Sequence, residues 1–166
     1  MQKVAVIMGS KSDLEIVQKA FGILEEFEIP FEAHIFSAHR TPEALKAFAV
    51  QARDQGFGVL IAAAGKAAHL AGVIASLSTL PTIAIPMRGN DLQGLDSLLS
   101  SVQMPAGIPV ACVGINAAEN AALLAIEILA LNSPKLQDKL AQKRQQQAMQ
   151  ILNEDQNIHL KYSRNS

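Results

Sequence analysis

A histidine and an arginine stand side by side where a strand-like segment gives way to a helix start. The run Ser37-Ala38-His39-Arg40 follows the apolar end of the segment 31–36 and precedes Thr41-Pro42, a typical N-cap and first helical residue. A turn needs neither an imidazole nor a guanidinium, and the two repel each other when both are charged. Imidazole titrates near neutral pH and suits proton transfer, whereas the planar guanidinium suits phosphate. The pair therefore indicates acid–base chemistry on a bound anion.

Two other strand-like segments also end in polar residues. Gly9-Ser10-Lys11-Ser12-Asp13 follows the first, and Gly65-Lys66-Ala67-Ala68-His69 follows the third along the chain. Ligands of open parallel sheets bind beyond the carboxyl ends of the strands. These groups are therefore expected to share one rim with His39 and Arg40.

Structural roles explain some of the same residues. Ser12 through Glu15 match a capping box, which would make Ser12 the cap of the first helix. A Gly-Ser turn before a helix is also an anion site, but it lacks the glycine spacing of a P-loop or a dinucleotide fingerprint. His69 lies in an alanine-rich run, where a hydrogen-bonded structural histidine is an equal alternative.

Other chemistries fit less well. Metal sites usually need three or four convergent ligands, and this rim offers two histidines and few acids, so no metal is expected. No Gly-x-Ser-x-Gly elbow is present, and the single cysteine, Cys112, lies in an apolar run, where a buried side chain in a reducing compartment is the simplest interpretation. His34 and His159 receive no role. Acid–base chemistry on a small phosphorylated molecule remains.

Alternating apolar runs and helical patterns position these residues. The helical patterns include 13–27 and 42–55, and the predicted strands are 3–8, 31–36, 59–64, 82–86 and 109–115. Strands that are apolar throughout are covered on both faces, which is typical of a parallel sheet flanked by helices. Right-handed crossovers then predict a doubly wound, three-layer α/β fold with about five strands in flavodoxin-like order.

The character of the chain changes after residue 132, so we predict a catalytic domain over 1–132 and a helical extension over 133–166. A polar helix is expected to start at Ser133-Pro134, and its narrow apolar stripe is suited to packing on a neighbouring subunit. The last stretch, 153–166, is expected to be loose.

Composition excludes several partners. The 166 residues carry a net charge of −1 with dispersed cations, so we expect no nucleic-acid binding, and no apolar run is long enough for a membrane span. The N-terminus enters a strand without a signal peptide, which favours a cytoplasmic protein. A hydrophobic content of 49% with only 17% charged residues is high for a small monomer and indicates surface buried between subunits.

Longer motifs resemble one family. The blocks VAVIMGSKSDLE, SAHRTPE, AAAGKAAHLAGVIA, LPTIAIPM and LQGLDSLLSSVQMPAGIPVACVGI are similar, in order, to those of 5-(carboxyamino)imidazole ribonucleotide mutases, from about residue 3 to 131. The resemblance implies a flavodoxin-like (Rossmann-like) subunit in a homo-octamer. It also implies an isomerase of purine (IMP) biosynthesis that binds a ribonucleotide substrate, needs no cofactor and moves a carboxylate from nitrogen to carbon 4 by decarboxylation and recarboxylation.

The resemblance also implies residue roles. Ser10, Ser12 and Asp13 would hold the ribose and phosphate, Arg40 would pair with the phosphate, and His39 would be the general acid and base. The residues expected to complete the substrate site are Gly9, Ser37, Ala38, Ala64, Gly65, Lys66, Ala67, His69 and Leu70.

Lys66 departs from the family pattern. Most such mutases have Gly-Gly-Ala-Ala-His-Leu, whereas this chain has lysine in place of the second glycine. Carbon dioxide-dependent aminoimidazole ribonucleotide carboxylases, the sister subclass, read more like Gly-Arg-Ser-Asn-Gly-Leu. Two alternatives therefore stand beside the mutase, namely such a carboxylase and a non-catalytic nucleotide-binding homologue. The segment 87–94 is also less regular than the corresponding loop of such mutases.

Overall fold

A computed structural model describes residues 2–162 of the chain. The backbone separates into two compact units, one ending at Leu129 and the other beginning at Ala130. Among the described residues no helix is both long enough and apolar enough to cross a membrane.

The first unit is built on a parallel sheet of five strands in the order β2-β1-β3-β4-β5. The strands are β1 Lys3–Met8, β2 Phe31–Ile35, β3 Phe57–Gly65, β4 Thr82–Met87 and β5 Ala111–Cys112. Helices cover both faces, so the predicted three-layer α/β class and flavodoxin-like order are confirmed.

The helices differ in detail from the predicted ones. They are α1 Leu14–Glu26, α2 Pro42–Gln51, α3 Leu70–Leu77, α4 Leu95–Val102, α5 Ala118–Ala130 and α6 Pro134–Tyr162. The second predicted helix, 42–55, is four residues too long, because the chain turns into β3 at Gly56, whose φ of 85° favours glycine.

The predicted strand 109–115 is also too long, since β5 covers only two residues. Pro109 has no N–H to donate, and at the other end Asn116 has a φ of 59° that turns the chain out of the sheet. Isolated bonds from the N–H groups of Val113 and Asn116 to β4 carbonyls continue the pairing irregularly, at 3.1 and 2.9 Å.

The burial of the strands explains why apolar runs in the sequence predicted them. β1 and β4 are buried over almost their whole length, as is β3 up to Ala63, and Ile7, Leu60 and Ile61 are fully inaccessible. Burying each such side chain contributes about 1.5–3 kcal/mol. The strand β2 lies at the edge and is half-exposed, so its carboxyl end can carry a turn that faces solvent.

The second unit contains α6, which begins at Pro134 as predicted and continues to Tyr162. The prediction of a loose stretch from residue 153 is therefore wrong for 153–162, and residues 163–166 lie outside the described part. No glycine or proline interrupts 135–162, and glutamine, lysine, leucine and alanine are good helix formers.

Candidate active site

The carboxyl ends of β1 to β4 enclose a cleft of about 540 Å³, a volume suited to a small molecule. Each site residue predicted from the sequence lines this cleft. They are Gly9, Ser10, Ser12, Asp13, Ser37, Ala38, His39, Arg40, Ala64, Gly65, Lys66, Ala67, His69 and Leu70. Met87, Arg88 and Gly89 also line the cleft but were not predicted. The rule that ligands bind beyond the carboxyl ends of the strands would have found them, because Met87 ends β4 and Arg88 and Gly89 directly follow it.

Two histidines that are thirty residues apart meet in the cleft. Nε2 of His39 lies 2.9 Å from Nδ1 of His69, and the rings are nearly perpendicular, at 83°. One nitrogen must donate and the other accept, so two doubly protonated rings cannot form this contact. Both side chains are exposed to the cleft, where a ligand can reach them.

Reciprocal bonds shape the turn that carries His39. The Ser37 N–H donates to Thr41 Oγ1 at 2.9 Å, and the Thr41 N–H donates to the Ser37 carbonyl at 2.9 Å. Thr41 is the N-cap residue of α2, but its hydroxyl stabilises this turn instead of capping the helix. The closed turn presents His39 and Arg40 on the rim.

Arg40 reaches across to the neighbouring strand. Its Nη2 donates to the Gly9 carbonyl at 3.2 Å, and its Nε lies 3.4 Å from Ser37 Oγ. A guanidinium has five N–H groups, so these contacts orient the side chain and leave donors for an anion.

The turn that follows β1, residues 9–13 (the β1 turn), forms a capping box, but not the predicted one. Ser10 Oγ accepts from the Ser12 N–H, while the Ser10 N–H donates to Asp13 Oδ2 at 3.2 Å, around a short 3₁₀ turn Lys11–Asp13. The prediction that Ser12 caps the helix is thus wrong; its hydroxyl donates to Ser10 Oγ at 3.0 Å. Burial raises the pKa of Asp13, although hydrogen bonds from Ser10 and Ser12 act to lower it.

The charged groups lining the cleft favour an anion. Among the described residues that line the cleft, Asp13 is the one carboxylate, whereas Arg40, Lys66 and Arg88 are cations. Arg88 is held by its neighbours. Its side-chain Nε donates to Gln93 Oε1 at 2.7 Å, and its backbone N–H donates to Asn116 Oδ1 at 2.9 Å. A negatively charged ligand would relieve this excess of positive charge.

Serines of α4 hold two cleft loops in place. The buried Ser97 hydroxyl lies 2.8 Å from the Met87 carbonyl at the end of β4. Ser100 Oγ accepts from the Ala68 N–H at 3.1 Å and donates to the Asp96 carbonyl at 2.7 Å. Because Ala68 precedes His69, Ser100 is one support of the segment that carries the second imidazole.

Comparison with known proteins identifies the family of the chain. A sequence profile described as AIR carboxylase matches residues 3–150. The chain belongs to the AIR carboxylase family. A Pyrococcus abyssi protein named N5-carboxyaminoimidazole ribonucleotide mutase is 53% identical over 87% of this chain and 83% of its own length. A Saccharolobus solfataricus protein of the same name is 55% identical over 84% of this chain and 89% of its own. The crystal structure of Treponema denticola PurE matches with a TM-score of 0.84 and 30% identity, covering 97% of this chain and 98% of that one.

Membership of the AIR carboxylase family confirms the resemblance drawn from the motifs, and the match extends it into α6. The single cysteine is not among the residues that line the cleft. Cys112 is half-buried, not fully buried, and burial raises the pKa of its thiol. Among residues 2–162, no three histidine, cysteine or acidic side chains are grouped so that they could hold a metal ion.

The unusual lysine of this AIR carboxylase family member has a left-handed backbone. Lys66 has a φ of 56°, a conformation that glycine adopts without strain. Its Nζ lies 3.1 Å from Asp91 Oδ2, on the loop between β4 and α4. The lysine therefore links two loops at the edge of the cleft.

Proposed function

We propose that this chain is an isomerase that converts N5-carboxyaminoimidazole ribonucleotide into 4-carboxy-5-aminoimidazole ribonucleotide, a step of purine biosynthesis. The observation that carries the proposal is the contact of His39 with His69 at 2.9 Å in a positively charged cleft. It is supported by identities of 53% and 55% to proteins named as mutases of this ribonucleotide.

Binding begins at the β1 and β2 end of the cleft. Arg40 pairs with the phosphate, which its orientation against the Gly9 carbonyl allows. Ser10, Ser12 and Asp13 hold the ribose and phosphate through hydroxyl and carboxylate groups. The segment from Ala64 to Leu70 then lies against the base.

The chemistry needs one proton carrier. The bond between the exocyclic nitrogen and its carboxylate breaks, carbon dioxide forms, and His39 gives a proton to that nitrogen. Carbon dioxide then bonds to C4, and the proton displaced from C4 returns to His39. The imidazole begins and ends the cycle protonated, so atoms and protons balance without a co-reactant.

His69 prepares His39 for this cycle. A protonated His39 donates from Nε2, which requires a neutral His69 with an unprotonated Nδ1. The base of the substrate then replaces His69 as the partner of Nε2. His69 thus holds the imidazole in the orientation from which it delivers its proton.

We propose further that the enzyme is a cytoplasmic homo-octamer. Support comes from an apolar stripe on and beside α4, where Leu92, Leu95, Leu99 and Val102 are between 48% and 58% exposed. The high hydrophobic content of the chain agrees with burial of such faces between subunits. In this proposal the helix α6 packs on a neighbouring subunit.

One comparison tests the function. Purified protein without ATP, metal or biotin should convert the N-carboxylated ribonucleotide into the 4-carboxylate. Incorporation of labelled bicarbonate into the uncarboxylated ribonucleotide, with no isomerisation of fresh N-carboxylated substrate, would show a carboxylase instead. Tight binding of the 4-carboxylate without interconversion would show a non-catalytic binding protein.

A further inference from the structure

Lys66 occupies a position where its side chain brings a backbone cost. Among residues 2–162, the non-glycine residues with positive φ are Glu28, Lys66, Gln93 and Asn116, and the last three lie in loops at the carboxyl edge of the sheet. Glycine would adopt the φ of 56° at position 66 without strain. Strain of this kind is often retained where the side chain has a function.

The partner of Lys66 is weakly held. Both side chains of the Lys66–Asp91 pair are mostly exposed, at 78% and 71%, and exposed ion pairs contribute little stability. Lys66 lines the cleft, whereas Asp91 is not among the lining residues. A flexible lysine can therefore exchange Asp91 for an anion inside the cleft at low cost.

The location of Lys66 suggests which anion this would be. Arg40 lies at the β2 and β1 side of the cleft, bonded to the Gly9 carbonyl. Lys66 follows β3, on the other side of β1, three residues before His69. Arg40 follows β2 and Lys66 follows β3, and β1 lies between these two strands. Because adjacent strands are about 4.8 Å apart, the two cations are placed to contact opposite ends of a small ligand. With the phosphate at Arg40, the base end lies toward Lys66.

We propose that Lys66 is a specificity-determining residue that pairs with the carboxylate on the base of the ribonucleotide and releases Asp91 when it does so. The inference rests on the proposed function and deepens it. Lys66 then selects carboxylated over uncarboxylated aminoimidazole ribonucleotide, and Asp91 acts as the competitor that weakens this selection.

Equilibrium titration of the whole protein tests the proposal. The probes are 4-carboxy-5-aminoimidazole ribonucleotide and the ribonucleotide without the carboxylate. We expect Lys66→Met to weaken binding of the first roughly tenfold, or about 1.4 kcal/mol, with binding of the second unchanged. Lys66→Arg should keep the preference because it keeps the cation. Asp91→Asn should tighten binding of the carboxylated probe by about twofold to fivefold, since an exposed pair is lost.

Lys66→Gly controls for the backbone, because glycine relaxes the strain and also removes the cation. It should lose the same preference as Lys66→Met. Equal weakening of both probes, an unchanged preference, or a loss in Lys66→Met that Lys66→Gly does not share would overturn the inference while leaving the proposed function intact. A wild-type protein that binds neither probe would overturn both.

Discussion

Replacing Ser100 with alanine should loosen the loop that carries His69. The Ser100 hydroxyl accepts from the Ala68 N–H at 3.1 Å, and Ala68 is only 2% exposed. Alanine leaves that buried N–H without this partner, which costs about 1–3 kcal/mol. In a chain of this size each kcal/mol lowers the unfolding midpoint by about 2–4 °C. Because His69 follows Ala68 directly, we also expect turnover to fall about tenfold or more.

Ser101 provides the matched control on the same helix. Ser100 and Ser101 each donate to a carbonyl four residues earlier, at 2.7 Å. Within residues 2–162, however, the Ser101 hydroxyl bonds only inside α4. Ser101→Ala should therefore cost less than about 1 kcal/mol and leave turnover close to normal. Ser100→Thr keeps a hydroxyl and should restore most of the activity.

The assay pairs thermal unfolding at one protein concentration with turnover of the N-carboxylated ribonucleotide. The prediction fails if Ser100→Ala and Ser101→Ala lose the same activity, because the contact with Ala68 would then have no special role. It also fails if Ser100→Ala is as stable and active as the wild type.

Three other changes test separate parts of the site and the assembly. Arg40→Ala should weaken ligand binding by about 2–5 kcal/mol, measured by titration, with a smaller effect on turnover at saturation; unchanged binding would remove Arg40 from the phosphate site. Because burial raises the pKa of Asp13, the folded chain keeps that proton at pH values where the unfolded chain has lost it. The stability of the wild type relative to Asp13→Asn should therefore decrease as pH rises from the ordinary value of 3.8 through the raised pKa and then level off; unfolding midpoints that show the opposite slope would refute this. Removing residues 134–166 should reduce the number of subunits in the assembly, measured by sedimentation, and an unchanged number of subunits would refute the role given to α6.

Local sequence patterns were sufficient for the sheet and for the position of the cleft. The strands are apolar because both faces are covered, so β1, β3 and β4 were readable as continuous runs. The carboxyl ends of parallel strands meet at one edge of the sheet, so the sequence alone predicts that the residues after each strand lie close together. Arg88 was missed only because this rule was not applied to β4.

Features that depend on tertiary geometry were not predictable. The sequence contains two overlapping capping-box patterns, Ser10 with Asp13 and Ser12 with Glu15. The 3₁₀ turn, which the pattern does not encode, forms the capping box of Ser10 and Asp13. The contacts of His39 with His69 and of Lys66 with Asp91 join residues 30 and 25 positions apart. Their distances depend on the strand order and on loop conformations that no local spacing reports.

The helix α6 is longer than predicted. The stretch after residue 152 was predicted to be loose, yet the helix runs to Tyr162. An uninterrupted series of good helix formers, with pairs such as Gln150 and Glu154 bonded at 2.9 Å, supports it along its length.

Turnover and binding in His39→Asn test directly whether His39 carries the proton. Asparagine keeps a polar side chain but cannot carry a proton between nitrogen and C4, whereas Arg40 and the β1 turn remain to hold the ribonucleotide. We expect turnover to fall by about a hundredfold or more, while titration shows binding of the 4-carboxylated ribonucleotide within a few-fold of the wild type. Near-normal turnover in His39→Asn would show that His39 is not the proton carrier and make His69 the next candidate.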